Sequence, residues 1–239
     1  MKKVILYKSD ITDPAYNLAL EEYLLSQQKD DELIILLWQN DKTVVIGRHQ
    51  NAYVEVDTDF ATSNGIKIVK RNSGGGAVYH DLGNMNYSFI MNSSIDYLDY
   101  CKDIIIKVFS KCGVNAFHGG KNDIFVDGYK VSGTAKYEYD GKILYHGTIL
   151  MNTDLEVLRK VLTRNTKPTK SFSIESVENK VANLVDLSKR DISFEMITNY
   201  FEDITGLSCE LIDIDSIAAI PPIMDLVTEK YNAHKWNYG

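Results

Sequence analysis

Hydrophobic and polar positions along this chain recur in blocks short enough to be read as separate elements. TDPAYNLALEEYLLSQ sets Leu18, Glu21, Glu22 and Leu25 at helical spacing behind Asp13, a capping side chain, and Pro14, whose fixed φ suits a first helical position. It predicts an opening helix. LIILLW (33–38) and TVVIG (43–47) are β-rich runs separated by QNDK, which predicts a hairpin. IKIVKR (66–71) predicts a third strand that leads straight into Gly74, Gly75 and Gly76. After them AVYH and NMNYSFIM flank DLGN, a turn, so sheet continues on both sides of the glycines.

SIDYLDYCKDIIIKVFSKCG predicts a second helix with Gly113 just past its end. NDIFVDGYKVSGTAKYEYDGKILYHGTILMN holds two Asp-Gly pairs between β-rich runs, the sequence signature of tight hairpins, and predicts three antiparallel strands. TDLEVLRKVLTR predicts a helix, NTKPTKSFSIESVENK an exposed loop leading to a short helix, and SFEMITNYFEDITG an amphipathic helix ended by Gly206. A last helix is expected to start near PPIMDLV. The chain has no internal repeat and no low-complexity tract. The pattern as a whole predicts an α+β fold, a mainly antiparallel mixed sheet flanked by helices.

Composition narrows the possibilities. The 239 residues, 44% of them apolar, suffice for one domain spanning 1–239 with a real core. A net charge of −7 and a pI near 5.3 argue against a general nucleic-acid surface, so any anion is bound locally. The apolar run in MKKVILYKSD is too short for a signal peptide or a membrane span, and a cytoplasmic location is expected. Cys101, Cys112 and Cys209 are scattered without CxxC spacing and indicate neither disulfides nor a thiolate zinc site.

The glycine run RNSGGGAVYH then stands out. It matches neither GxGxxG nor a segment followed by GK[ST]. A plain surface turn would account for it. So would an anion-binding nest, because Lys70 and Arg71 precede it, Ser73 supplies a hydroxyl, and glycine permits positive φ and close approach of a phosphate to the backbone.

KRNSGGGAVYHDLGN, together with NDIFVDGYKVSGTAK and HGTIL, resembles the catalytic domain of lipoate-protein ligases, relatives of the biotin protein ligases. The resemblance extends to LWQNDKTVVIGRHQN and SVENKVANL and covers most of the chain in the family's order. It implies an enzyme that uses ATP and Mg²⁺ to activate lipoate as lipoyl-AMP and passes the lipoyl group to a lysine of an acceptor domain. The acceptors it implies are lipoyl domains of 2-oxoacid dehydrogenases or the glycine-cleavage H protein. Many such ligases continue into a smaller C-terminal domain beyond the point where this chain ends in KWNYG. That domain is expected to be absent here, with a small separate accessory protein as its possible replacement.

Carried onto this sequence, the resemblance places Arg71, Ser73, Gly74, Gly75, Gly76, Ala77, Val78 and Tyr79 at the nucleotide, and Glu21, Trp38, His80 and His146 around the lipoyl chain. Trp38 reads equally as core packing, and His80, next to Asp81, as a solvated turn residue. Lys130 is assigned to both the carboxylate being activated and the α-phosphate. Physical chemistry gives it the same task, since an ammonium between two anions offsets their repulsion and the charge that develops at phosphorus. A lysine beside a hairpin turn is otherwise a solvated edge residue.

A two-residue Asp127-Gly128 hairpin pairs Phe125 with Lys130 and Asp123 with Ser132, which puts Asp123 and Lys130 on one face. Asp123, with Asn122, is then a candidate to position Mg²⁺ on the phosphates, although Asn-Asp also suits an ordinary turn. The Asp140-Gly141 hairpin pairs Ala135 with His146 and turns His146 to the opposite face. A bulge at Gly133 would bring it back.

Two alternatives remain beside the ligase. A cofactor-free octanoyl or lipoyl transferase of the same superfamily works through a cysteine thioester placed just before the lysine segment, where this chain has KNDIFV and no cysteine. A module that binds lipoyl-AMP or acceptor domains without turnover would be expected to lack Lys130 or Arg71, and both are present. A transferase that uses lipoyl-AMP and needs a partner for adenylation is a variant of the first reading. Lipoate and octanoate are not distinguished by the sequence.

Overall fold

A computed structural model describes residues 3–94, 97–120, 122–162 and 180–239. The loop and short helix expected over 165–179 lie outside the described residues. In chain order the elements are β1 (Lys3–Ser9), α1 (Pro14–Gln27), β2 (Glu32–Trp38), β3 (Thr43–Ile46), α2 (Ala52–Glu55), α3 (Thr58–Ser63), β4 (Lys67–Lys70), β5 (Val78–His80), β6 (Asn84–Asn92) and α4 (Leu98–Lys111). They continue with β7 (Phe117–Gly119), β8 (Asp123–Val126), β9 (Tyr129–Tyr139), β10 (Lys142–Leu150), α5 (Leu155–Val161), α6 (Leu184–Ser188), α7 (Phe194–Thr205) and β11 (Glu210–Ile212). The chain closes with α8 (Ile214–Ala218), α9 (Pro221–Leu226), a π-helical turn (Val227–Tyr231) and α10 (His234–Tyr238). The last helix expected near PPIMDLV does start at Pro221; it runs on directly into the π-helical turn, and α10 follows as a separate piece.

An eight-stranded sheet runs β11-β1-β2-β6-β10-β9-β8-β7, parallel over its first three strands and antiparallel from β2 onward. A second sheet, β4-β3-β5, has three strands. The α+β architecture and the three strands around the two Asp-Gly turns are as predicted. All four turn residues, Asp127, Gly128, Asp140 and Gly141, have positive φ, as a tight hairpin of matching twist requires.

The hairpin predicted between 33–38 and 43–47 does not form. Both edges of β2 are taken, by β1 on one side and β6 on the other, and β3 crosses to the small sheet between β4 and β5. The link is anchored by buried Asn17, whose amide nitrogen lies within hydrogen-bond distance of the carbonyls of Ile11 and Gln39 and of Asn40 Oδ1. AVYH and NMNYSFIM likewise flank a real turn, in which Asp81 accepts from Gly83 N, but their strands enter different sheets.

Alternation along β6 explains where the site lies. Met85, Tyr87, Phe89 and Met91 pack with α4 and α7 in the largest core cluster. The opposite, polar face of Asn84, Asn86 and Ser88 is just as deeply buried. That face looks towards α1 and the small sheet, and the cavity of the molecule opens between the two sheets.

Candidate active site

The cavity, about 670 Å³, is walled on one side by β2, β6, β10, β9 and β8 and on the other by α1, β3, β5 and the glycine segment. Of the predicted residues, Trp38, Arg71, Gly75, Gly76, Ala77, Val78, His80, Asn122, Asp123, Lys130 and His146 line it. Glu21, Ser73, Gly74 and Tyr79 do not. Glu21 and Ser73 stand directly behind the wall. Tyr79 faces away, as alternation with Val78 and His80 demands, and packs with Val44, Ile46 and Ile68, leaving only its backbone near the site.

Lys130 Nζ meets Asp123 Oδ1 at 2.8 Å, so the two lie on one face as expected. The register that achieves this differs from the prediction. Phe125 pairs with Lys130, but Ile124 pairs with Ser132 and Asp123 with Gly133, so the bulge comes at Val131, two residues before Gly133. The extra residue shifts the parity of β9, and Ala135, still paired with His146, now shares the face of Lys130. Gly133 has a different task, because a Cβ there would lie 3.2 Å from Lys130 Cε and Nζ. The lysine backbone is held independently, its N–H donating to Lys180 O and its C=O accepting from Ala182 N.

Arg71 is buried and most of its donors are engaged within the protein. Nη1 donates to Val45 O at 3.0 Å, and Nη2 to Gly74 O at 2.7 Å and Gly76 O at 2.8 Å, so the glycine segment curls around the guanidinium. Burial pulls its pKa down to about 10, partly opposed by Glu21, and it stays charged at neutral pH. Only Gly75 of the three glycines has positive φ, +90°. Its carbonyl packs on Gly47, where a Cβ would come within 2.2 Å of Gly75 O. Gly47 went unnoticed in the sequence; only the short IGRHQN segment before α2 carried a trace of it.

A continuous polar chain joins the wall residues Arg71, His146 and Trp38 through Ser73, Glu21 and Ser88 behind them. Arg71 Nε donates to Ser73 Oγ at 3.0 Å, and Ser73 Oγ lies 2.7 Å from His146 Nε2. His146 Nδ1 lies 2.8 Å from Glu21 Oε1, which also accepts from Ser88 Oγ at 2.6 Å, and Ser88 Oγ accepts from Trp38 Nε1 at 2.9 Å. Each proton finds an acceptor when Nδ1 of His146 carries the ring proton and Ser73 donates to Nε2. His146 is therefore a fixed wall with both nitrogens engaged, and Trp38 is oriented by its indole N–H rather than by packing alone.

His80 is buried beside Trp38, edge to ring at 6.3 Å between centroids. Burial, then Arg71 and His146, push its pKa down from 6.5 to about 3. Below pH 6.5 the unfolded chain takes up a proton here that the folded chain refuses, so folding stability falls as pH drops from 6.5 towards 3, by about 1.4 kcal/mol per unit for one such group. Denaturant titrations across that window should show a smaller acid loss in His80→Gln than in the wild type. Equal slopes would mean His80 titrates normally in the fold.

Among the described residues no group of three or more His, Cys, Asp or Glu gathers around a point, and no helix is long and apolar enough to cross a membrane. Cys101 and Cys112 are buried in the core between the large sheet and α4. Burial pushes both thiols up, Cys112 to about 12, and Cys209, half-buried, to about 11. None of the three lines the cavity.

Residues 13–204 match the family described as the Lipoyl protein ligase A/B catalytic domain. The chain is 32% identical over 243 residues to lipoate-protein ligase LplJ of Bacillus subtilis, an alignment covering 96% of this chain and 72% of that protein. Its fold is similar to that of LipL1 of P. falciparum, solved in complex with lipoate, with a TM-score of 0.84, 26% identity, and 99% and 74% of the two chains covered. It is also similar to a lipoate-protein ligase A bound with ATP (TM-score 0.79, 25% identity, 99% and 98% covered). A bi-partite lipoate protein ligase of Thermoplasma acidophilum, solved with its E2 lipoyl domain, gives a TM-score of 0.79 at 26% identity, covering 99% of this chain and 95% of the other. On the family match over residues 13–204 and the identity to these ligases, the chain belongs to the lipoyl protein ligase A/B catalytic-domain family.

Proposed function

We propose that this chain is a lipoate-protein ligase that activates lipoate with ATP and transfers the lipoyl group to a lysine of acceptor lipoyl domains. The observation that carries the reading is the convergence of the Lys130–Asp123 pair and the Arg71-wrapped glycine segment on one cavity whose remaining wall includes Leu18, Trp38, Val45 and Val78. Such a space accepts an apolar chain and brings its carboxylate to a cationic rim. A lipoate carboxylate oxygen attacks the α-phosphorus of ATP there, and the bond to the β-phosphate breaks, releasing pyrophosphate. Lys130 holds the two anions together, and the backbone of Gly75–Ala77 packs against the adenylate phosphate. The acceptor amine then attacks the acyl carbonyl and AMP departs with the electron pair of the mixed anhydride.

The oxygen donors fit a phosphate-bound divalent cation: Asp123 and Asn122 would hold Mg²⁺ jointly with the phosphates, where it would neutralise charge on the leaving pyrophosphate. A cysteine-thioester transferase is disfavoured by the depth of Cys101 and Cys112 and their raised thiols. A second reading is favoured by the bi-partite T. acidophilum ligase, most of whose matched chain this one covers: transfer from preformed lipoyl-AMP by this chain alone, with adenylation assisted by a small separate protein.

The test measures pyrophosphate release with lipoate and ATP, and acceptor-domain mass, starting either from lipoate plus ATP or from lipoyl-AMP. Modification from lipoyl-AMP in Cys101→Ala and Cys112→Ala at the wild-type rate is expected. Loss of transfer in a folded cysteine variant would revive the thioester route, and no modification from either starting point would end the ligase reading. Equal rates from both starting points would make the small partner unnecessary.

A further inference from the structure

The polar face of β6 and the end of β5 leave three buried polar atoms unmatched: Asn84 Oδ1, whose residue does not line the cavity, and two whose residues do. His80 Nε2 and Asn86 Nδ2 have no hydrogen-bond partner, both residues are 2% exposed, and both line the cavity. The proton of His80 can be placed by following the amides. Asn17 Nδ2 is identified by its two backbone carbonyl acceptors, Ile11 O and Gln39 O, and because an amide nitrogen cannot accept, the atom of Asn40 that faces it at 3.0 Å is the oxygen. Asn40 therefore turns its Nδ2 to His80 Nδ1, at 3.2 Å, and that nitrogen accepts. The ring proton is left on Nε2, a donor with nothing to meet. Asn86 uses its Oδ1 to accept from Asn84 Nδ2 and likewise retains a donor.

Neither donor is on β9, the strand that carries Lys130. Asn86 is paired across the sheet with Trp38, the neighbour of His80. Lys130 is on β9, two strands from β6 through β10, a separation of about 10 Å at ordinary strand spacing. With the carboxylate at Lys130, the far end of an acyl substrate meets the two N–H groups.

On the ligase reading, we propose that His80 Nε2–H and Asn86 Nδ2–H select the dithiolane ring, its sulfurs acting as weak acceptors, over substrates whose far end is wholly hydrocarbon. A buried donor that loses water without gaining a partner is costly, so a hydrocarbon end leaves that cost standing while a sulfur offsets part of it. The two donors come from different sheets and approach from two sides, which suits the adjacent sulfurs of a disulfide ring. They are specificity determinants and take no part in the bond changes.

Calorimetry of the full chain with three adenylates separates this from shape and from the ligase reading itself: lipoyl-AMP, octanoyl-AMP, and the analogue with a cyclopentyl ring in place of the dithiolane. The wild type should bind lipoyl-AMP about fivefold more tightly than the cyclopentyl analogue, the value of one weak buried hydrogen bond. In His80→Phe that ratio should fall towards one, His80→Gln should restore part of it, and Asn86→Leu, on the other sheet, should lower it independently. A wild-type ratio near one overturns the proposal, as does an undiminished ratio in His80→Phe, or in Asn86→Leu should the former not fold. Failure of all three adenylates to bind would instead overturn the ligase reading.

Discussion

Lys130→Ala is expected to fold normally and to form lipoyl-AMP at least about a hundredfold more slowly than the wild type, the loss typical of removing one group aimed at developing charge. The backbone bonds of residue 130 to Lys180 and Ala182 do not depend on the side chain. The ion pair with Asp123, with both side chains about a quarter exposed, contributes no more than about 1 kcal/mol to stability. Activity and stability should therefore separate, with kcat falling further than lipoate affinity. Thermal melts and pyrophosphate release on the same preparation check this. A wild-type rate of adenylate formation in the variant would make Lys130 an edge residue of the hairpin, and the site would have to be sought elsewhere on the cavity wall.

The second large effect is expected at Gly47 and Gly75. A methyl group on Gly47 would overlap the carbonyl of Gly75, 2.2 Å away, and because the obstacle is backbone no rotamer relieves it. The glycine segment must move. Gly75→Val acts from within, since φ of +90° strains a β-branched residue whatever space it has, and its Cβ would lie 3.0 Å from Arg71 Nη2. Each variant should weaken binding of ATP and of lipoyl-AMP by about tenfold or more, the equivalent of the 1–3 kcal/mol that such backbone strain represents. Lipoate binding alone, measured without nucleotide, should change less, because the apolar wall from Trp38 to Val78 is untouched. Unchanged nucleotide affinity in both variants would reduce the segment to a plain turn.

Much of the candidate site was legible because the patterns that mark it are local. The glycine run after a basic pair, the lysine two residues past an Asp-Gly turn, and the carboxylate on the other arm of that hairpin are all short-range patterns. Two side chains flanking a two-residue turn converge whatever the rest of the molecule does. The same holds for the capping of α1 by Asp13 and the end of α7 at Gly206, where φ of +71° favours glycine.

What stayed hidden depended on contacts between distant segments. The run 33–47 reads as a hairpin, and nothing in those residues reveals that β1 and β6 occupy both edges of β2; strand pairing is decided by competition across the whole chain. The bulge was anticipated at Gly133 because glycine often marks one, yet it falls at Val131, where the apolar side chain keeps its place in the core while the strand gains a residue. Asn84, Asn86 and Ser88 read as one polar face of a strand, and alternation cannot say whether a polar face meets water or a second sheet.

By itself, then, the sequence determined the α+β class, the positions of the longer helices and the tight turns, and the two local segments around Arg71–Val78 and Asp123–Lys130 that reach the cavity, because propensity, capping and turn geometry act within a few residues. Tertiary structure alone decided that β3 and β5 form a separate sheet and that the cavity opens between the two. It also set Gly47 as the seat of Gly75, joined Arg71, Ser73, His146, Glu21, Ser88 and Trp38 into one chain, and left the N–H groups of His80 and Asn86 facing inward. Each of these is a contact between residues tens of positions apart, and burial of a polar group becomes visible only once the surface that covers it is in place.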